Sequence, residues 1–146
     1  MAGEVRDYVA EDFLITLGGV RATGLGPSDF LSIEEEGDGI TDSQGIDREI
    51  TRSRSRSKRA TVTLTLSMSS PFNKVLNAAY ELDKEVGNLV PFTVIDPNGS
   101  VNLITAKAWV TKRPTAGFNK GADGTRAWVI KTGECQSLVI GGLAEL

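Results

Sequence analysis

Residues 51–68, TRSRSRSKRATVTLTLSM, alternate with a period of two, and this run restricts the chain more than any other stretch. Such a period sends successive side chains to opposite faces of a strand. The first half sets serines against Arg52, Arg54, Arg56 and Lys58. The second sets threonines and serines against Val62, Leu64, Leu66 and Met68. Cations and apolar residues share the even positions. A strand unbroken from 52 to 68 would therefore align four cations with its own core-facing row, where unpaired charges cannot be buried. The cationic half must project past the domain, or twist away at a bulge, and present that face to something else.

The rest of the chain is written largely in the same period. DFLITLGG (12–19) alternates Phe13, Ile15 and Leu17 and stops on two glycines, a strand followed by a turn. GLGPSDFLSIEEE (24–36) opens with turn residues and then sets Leu31 and Ile33 on one face. EGDGITDSQGID (36–47) is poor in apolar residues and rich in Gly, Asp and Ser, which marks a long loop or the tip of a long hairpin. One helix interrupts the strands. In SSPFNKVLNAAYELDKEVGN (69–88), Ser70 is the N-cap and Pro71 the first helical residue. Phe72, Val75, Leu76, Ala79, Leu82 and Val86 form the apolar stripe, and Gly87 is the stop.

After the helix, segments 89–95 and 101–111 read as hairpin arms joined by Asp-Pro-Asn-Gly at 96–99. The glycine-rich AGFNKGADG (116–124) then leads into TRAWVIKTG and ECQSLVIGG. The AWV tripeptides at 108–110 and 127–129 sit at corresponding places in these strands and are candidates to pair across a hairpin. The predicted fold is mainly β. It is an antiparallel β-sandwich or open barrel of about seven or eight strands, with one flanking helix (about 71–86) after the fourth or fifth. A long hairpin or loop spans about 34–60. At 146 residues the chain reads as one domain, 1–146, with 1–10 as an extended N-terminal arm.

Little in the composition suits bond chemistry. The chain has no histidine, which removes the commonest general base, the commonest zinc ligand and every Ser-His or Cys-His nucleophile pair. Cys135 is the one cysteine, so no intrachain disulfide forms, and ECQS reads as a buried, inert thiol. Zinc sites without histidine need several cysteines. The acids of EEEGDGITD do not match a calcium-loop spacing, and aromatic side chains for a sugar cleft are few. GFNKGADGT (117–125) lacks the spacing of a phosphate-binding loop. No cofactor, metal or catalytic residue is expected. The first residues lack the basic and apolar regions of a signal peptide, and no apolar run reaches a membrane-spanning length. The reading is a soluble protein of cytosolic origin.

Charge is organised in two blocks. From Glu34 to Asp47 there are six acids (Glu34, Glu35, Glu36, Asp38, Asp42 and Asp47) and no cation. Between Arg48 and Arg59 there are six cations (Arg48, Arg52, Arg54, Arg56, Lys58 and Arg59) and one acid, Glu49. Three readings stay open. A solvated hairpin could neutralise itself across its ladder. A nucleic-acid arm could bind phosphates, although the net charge is −3 and no aromatics are interleaved with the cations. The shared parity favours the third, in which the acids of one copy meet the cations of another, a heterologous contact that closes rings or propagates filaments.

The order of the basic alternating strand, the Ser-Pro helix, VPFTVIDPNGS, and AKAWVTKRPTAGFNKGADGTRAWVIKTG resembles the small tail tube proteins of contractile-tailed bacteriophages, over roughly residues 10–142. The resemblance implies a fold similar to the needle-tube protein of type VI secretion. It also implies hexameric rings stacked into a tube in the virion, made in the host cytoplasm. Its partners would be the tail sheath, baseplate and tail terminator proteins, and phage DNA would pass through the lumen without specific binding or any role for a membrane. The twelve charged residues above become the inter-subunit or inter-ring contact. Thr61, Thr63 and Thr65 would face either the lumen or a helix-free outer surface. The alternatives are a non-enzymatic β-sandwich that binds carbohydrate or protein, and a nucleic-acid-binding domain.

Overall fold

From residue 60 the alternating run is a strand, β6 (Ala60–Ser67), whose even positions Ala60, Val62, Leu64 and Leu66 are fully buried. Upstream it is not the same strand. The computed structural model, which describes residues 13–26, 30–118 and 124–141, ends the preceding strand β5 (Ile50–Arg54) before an irregular stretch at 55–59. The other strands are β1 (Leu14–Leu17), β2 (Val20–Arg21), β3 (Leu31–Glu35), β4 (Ile40–Gln44), β7 (Val90–Ile95), β8 (Val101–Lys112), β9 (Thr125–Thr132) and β10 (Ser137–Ile140). The single described helix, α1 (Phe72–Val86), follows the sixth strand rather than the fourth or fifth. The expected N-terminal arm, 1–10, lies outside the described residues.

The fold is mainly β. An eight-stranded antiparallel sheet runs β2-β1-β7-β8-β9-β6-β3, with β10 also on β8, and β4–β5 form a separate two-stranded sheet. The long strand β8 serves both halves of the sandwich. Buried Thr105 and Ala108 are separated by two exposed residues, Ala106 and Lys107, so a bulge shifts its inward parity. The faces converge on Ile15, Leu17, Leu64, Phe92, Val94, Leu103, Trp128 and Ile130, and α1 adds Phe72 and Leu76.

One stretch runs from β2, at one edge of the sheet, to β6, the strand next to the other edge. Residues 20–21 pair with β1, and Ala22 N–H reaches the Ile15 carbonyl at 2.7 Å. A few residues on, Gly26 N–H bonds the Thr65 carbonyl at 2.9 Å and Ser67 N–H bonds the Gly24 carbonyl at 2.8 Å, both on β6. Gly24 is required in this crossing. Its φ is +67°, and a Cβ there would stand 2.7 Å from the Ser70 Cβ. The Ser70 hydroxyl donates to the Thr23 carbonyl, locking helix entry to the same crossing.

The helix boundaries follow the sequence closely. The Ser70 hydroxyl accepts the Phe72 N–H at 3.2 Å, as an N-cap does, although the regular helix opens one residue after Pro71. Gly87, at φ +70°, closes it by donating to the Asp83 carbonyl. The apolar stripe is shorter than expected: Leu82 and Val86 are exposed, and the buried helix residues, Phe72 and Leu76, lie in its first turns. Met68, expected in the core row, is exposed in the turn after β6. The 96–99 turn forms as read, with Gly99 at φ +90°. Burial would push the Asp96 carboxyl up, but hydrogen bonds from the Ser100 hydroxyl and the Asn98 and Ser100 N–H groups hold it below its usual range. The AWV tripeptides lie in neighbouring strands without facing each other, since Ala108, Trp109 and Val110 oppose Thr132, Lys131 and Ile130. Trp128 is buried, whereas Trp109 points to the opposite face and is half-exposed.

Gly24→Ala combines a left-handed alanine with an overpacked contact, a loss of about 2–4 kcal/mol. The expected outcome in thermal unfolding is a melting temperature lower by roughly 5–15 °C.

Candidate assembly interface

β3, β4, β5 and β6 form one long antiparallel ribbon. Its root lies in the main sheet, where Glu35 opposes Ala60, and its distal half is the β4–β5 hairpin, where Ile40 opposes Arg54. Between these pairs, residues 36–39 on one arm face residues 55–59 on the other, so the returning arm carries one extra residue. The long hairpin expected at about 34–60 is therefore present. The row of four cations is broken within it: Arg52 and Arg54 lie on β5, and Arg56 and Lys58 in the irregular stretch.

Every residue of β4 and β5 is exposed, and Ile40, Ile46 and Ile50 stand in solvent. An isolated two-stranded hairpin is marginal in water because it has no face to bury. One side carries Ile40, Asp42, Gln44, Ile50, Arg52 and Arg54; the other carries Thr41, Ser43, Thr51 and Ser53. Asp42 is directly opposite Arg52, the one acid–cation match in this ladder. Self-neutralisation stops there. The ion pairs among the described residues are Arg59–Glu36, Lys131–Glu36 and Arg113–Glu81, all outside the hairpin. Glu34, Glu35, Asp38, Asp42, Asp47, Arg48, Arg52, Arg54, Arg56 and Lys58 are exposed and unpaired by charge within the described chain. At the tip, Arg48 takes φ +69°, a conformation that glycine adopts without strain and that costs an L side chain about 1–2 kcal/mol.

The root is clamped by Glu36. Its Oε1 accepts the Thr61 hydroxyl at 2.8 Å and meets Lys131 Nζ at 3.3 Å, and its Oε2 lies 3.7 Å from the Arg59 guanidinium. Arg59 Nε also donates to the Thr132 carbonyl at 3.4 Å. One carboxylate thus ties the ends of β3, β6 and β9 together. Among the described residues Glu36 and Arg59 are ion-paired inside their own chain, unlike the other charges singled out from the sequence. Sequence reasoning missed two partners. Lys131 is visible in the sequence only as a polar position of β9. Glu134, in the turn after it, accepts the Lys58 N–H at 2.7 Å and the Ser57 hydroxyl at 3.3 Å, anchoring the irregular stretch.

Thr61, Thr63 and Thr65 are half-buried on the face of β6 opposite the core. Thr61 belongs to a row across four strands, Trp109–Lys131–Thr61–Glu34. Cys135 is buried within reach of the Thr132 hydroxyl, 3.3 Å away. Among the described residues no three His, Cys, Asp or Glu side chains converge as a metal-binding group, and no helix is long and apolar enough to cross a membrane. Lys120 and Gly121 of the glycine-rich loop lie outside the described residues.

The sequence matches no protein-family model and no curated protein. Among solved structures, the chain is similar to the tube-terminating cap of the anti-feeding prophage, with a TM-score of 0.56 and 10% identity over 92% of each chain. It is also similar to the PVC sheath/tube terminator of an extracellular contractile injection system in its extended state. That match has a TM-score of 0.52 and 8% identity, over 88% of this chain and 94% of that one. At such identities the likeness is one of fold.

The Glu36 clamp has a pH signature. The Thr61 hydroxyl first, then the Lys131 ammonium, hold the carboxyl below its ordinary 4.5, against a smaller effect of burial, and the Lys131 and Arg59 charges add to the lowering. A depressed folded-state pKa stabilises fully above the ordinary value, and that stabilisation is lost as pH falls through the folded value. Thermal melts of Glu36→Gln should lie below wild type at pH 7 and converge with it in acid.

Proposed function

We propose that this chain is a structural, non-enzymatic subunit of the tube of a contractile-tail-like particle, resident in the virion and assembled from copies of itself. The observation that carries this reading is the β4–β5 hairpin. It is ordered into a ladder, exposed at every residue, and charged in both signs without neutralising itself. A hairpin with nothing to bury is explained by a surface on a neighbouring molecule. The shared fold with a tube-terminating cap and a sheath/tube terminator supports placing that neighbour in a contractile particle.

In the finer form of the reading, hexameric rings stack into a conduit through which DNA passes. The exposed acids from Glu34 to Asp47 and the cations from Arg48 to Lys58 make the contacts between subunits or rings, with sheath and baseplate proteins at the outer surface and ends. The work of such a tube is passive, and a net charge of −3 suits a wall that must not hold phosphate. A second reading is favoured by the named functions of the two similar structures: a ring that ends the tube instead of repeating along it.

Electron microscopy of the purified protein separates them. Stacked rings with a stained channel are the outcome for a tube subunit, and single rings that do not extend are the outcome for a terminator. Discrete monomers at every concentration would overturn both. A variant in which Asn-Gly replaces residues 38–56 should keep its melting temperature within a few degrees, because every residue of β4 and β5 is exposed among the described residues. It should lose the assembled species. Arg48→Gly relieves the tip strain, so it is expected to raise the melting temperature slightly or leave it unchanged.

A further inference from the structure

A cleft of about 350 Å³ opens between the start of α1, the end of β8 and the start of β9. Its floor is Met68, Pro114 and Trp128, and its rim carries Lys74, Arg113 and Arg126. The walls are held in place. Trp128 Nε1 donates to Asn73 Oδ1 at 2.9 Å, while Asn73 Nδ2 donates to the Ser67 and Ser70 carbonyls, each at 3.0 Å. Arg113 is oriented by Asn77 at 2.9 Å, pairs with Glu81 and lies over the Tyr80 ring. Among the described residues, Arg126 lies over Phe118 and bonds the Gly117 and Thr125 carbonyls, and neither it nor Lys74 forms an ion pair. Two rim cations are thus uncompensated among the described residues, above an apolar floor. Such a site suits an apolar side chain flanked by carboxylates.

The same chain carries a matching shape. At the hairpin tip Ile46 is wholly exposed, at 106% of its reference area, and it is followed by Asp47 and Glu49. The Asp47 carboxylate accepts the Glu49 N–H at 3.3 Å, and Gly45 N–H bonds the Glu49 carbonyl at 2.9 Å, which fixes the tip as a compact peg. We infer that the cleft is the socket for the hairpin tip of a second copy: Ile46 enters over Met68 and Trp128, and Asp47 and Glu49 meet Lys74 and Arg126. The inference rests on the assembly reading and supplies its receiving surface. Peg and socket are different surfaces of one chain, so the contact is heterologous and propagates from copy to copy.

The test mixes two full-length variants, Ile46→Cys and Met68→Cys, under mild oxidation, beside native mass spectrometry of the wild type. A disulfide joining the two variants, absent when either is oxidised alone, is the expected result. Assemblies that form without this disulfide would overturn the socket while leaving the assembly reading intact. Neither assemblies nor disulfide at high concentration would overturn both. A charge exchange guards against a misplaced cysteine. Asp47→Lys/Glu49→Lys and Lys74→Glu/Arg126→Glu should each lower the assembled fraction roughly tenfold, and mixing the two should restore it. Weakening without restoration, or loss of oligonucleotide binding in the cleft variant as its sole effect, counts against the socket. The latter would assign the cations to nucleic acid.

Discussion

At Glu36 and Arg59 the two arms of a long hairpin leave the main sheet and pass into solvent, where they pair again as a separate two-stranded sheet. On the inner side, β6 lies between β3 and β9 and buries Ala60, Val62, Leu64 and Leu66 completely. On the outer side the same two arms continue with every residue of β4 and β5 exposed among the described residues. The Glu36 carboxylate sits at that boundary and binds Thr61, Lys131 and Arg59, so the inner ladder is fixed to its neighbour β9 just where the outer ladder leaves it. The projecting hairpin inherits its direction from that fixed root, and a projection with a defined direction can serve as a docking element.

The other edge of the sheet is secured by different means. Residues 20–26 run from β1 to β6, and their route past the helix depends on a glycine whose Cβ would strike Ser70. Helix entry, edge crossing and core strand meet within a few residues. The same neighbourhood supplies the anchored amide of Asn73 and the indole of Trp128. The cleft beside them is walled by side chains already held by hydrogen bonds, and a socket so pre-formed loses little freedom on binding.

The parts of this fold legible in the sequence are those written in short-range chemistry. Alternation marked β6 and the arms of β7 and β8, Ser-Pro and Gly87 marked the helix, and Asp-Pro-Asn-Gly marked a turn that forms as read. Charge blocks and parity pointed to the projecting ribbon, because a solvated charge row cannot share a face with a core. Contacts between distant segments left no such trace. Nothing local in TGEC marks Glu134 as the anchor of Ser57 and Lys58, and Lys131 gives no local sign of pairing with Glu36. Helix periodicity overstated the packed face, since Leu82 and Val86 fit the stripe yet are exposed. The register that sets Ala108, Trp109 and Val110 opposite Thr132, Lys131 and Ile130 is a long-range pairing, which composition does not encode.

The unequal arms between root and hairpin, 36–39 against 55–59, have a consequence for the faces of the ribbon. Followed along the outgoing arm, the core's side of the ribbon would continue through Thr41 and Ser43; followed along the returning arm, it would continue through Arg52 and Arg54. The extra residue resolves that conflict by putting the distal half out of phase with the proximal half. The cations are thereby released from the alternation that buries Val62 and Leu64. The length difference at this joint sets which residues of the two arms share a side, and it lies outside the buried row of β6. Arm length at the joint, and no buried side chain, thus governs how the charges of the hairpin are sorted between its two sides.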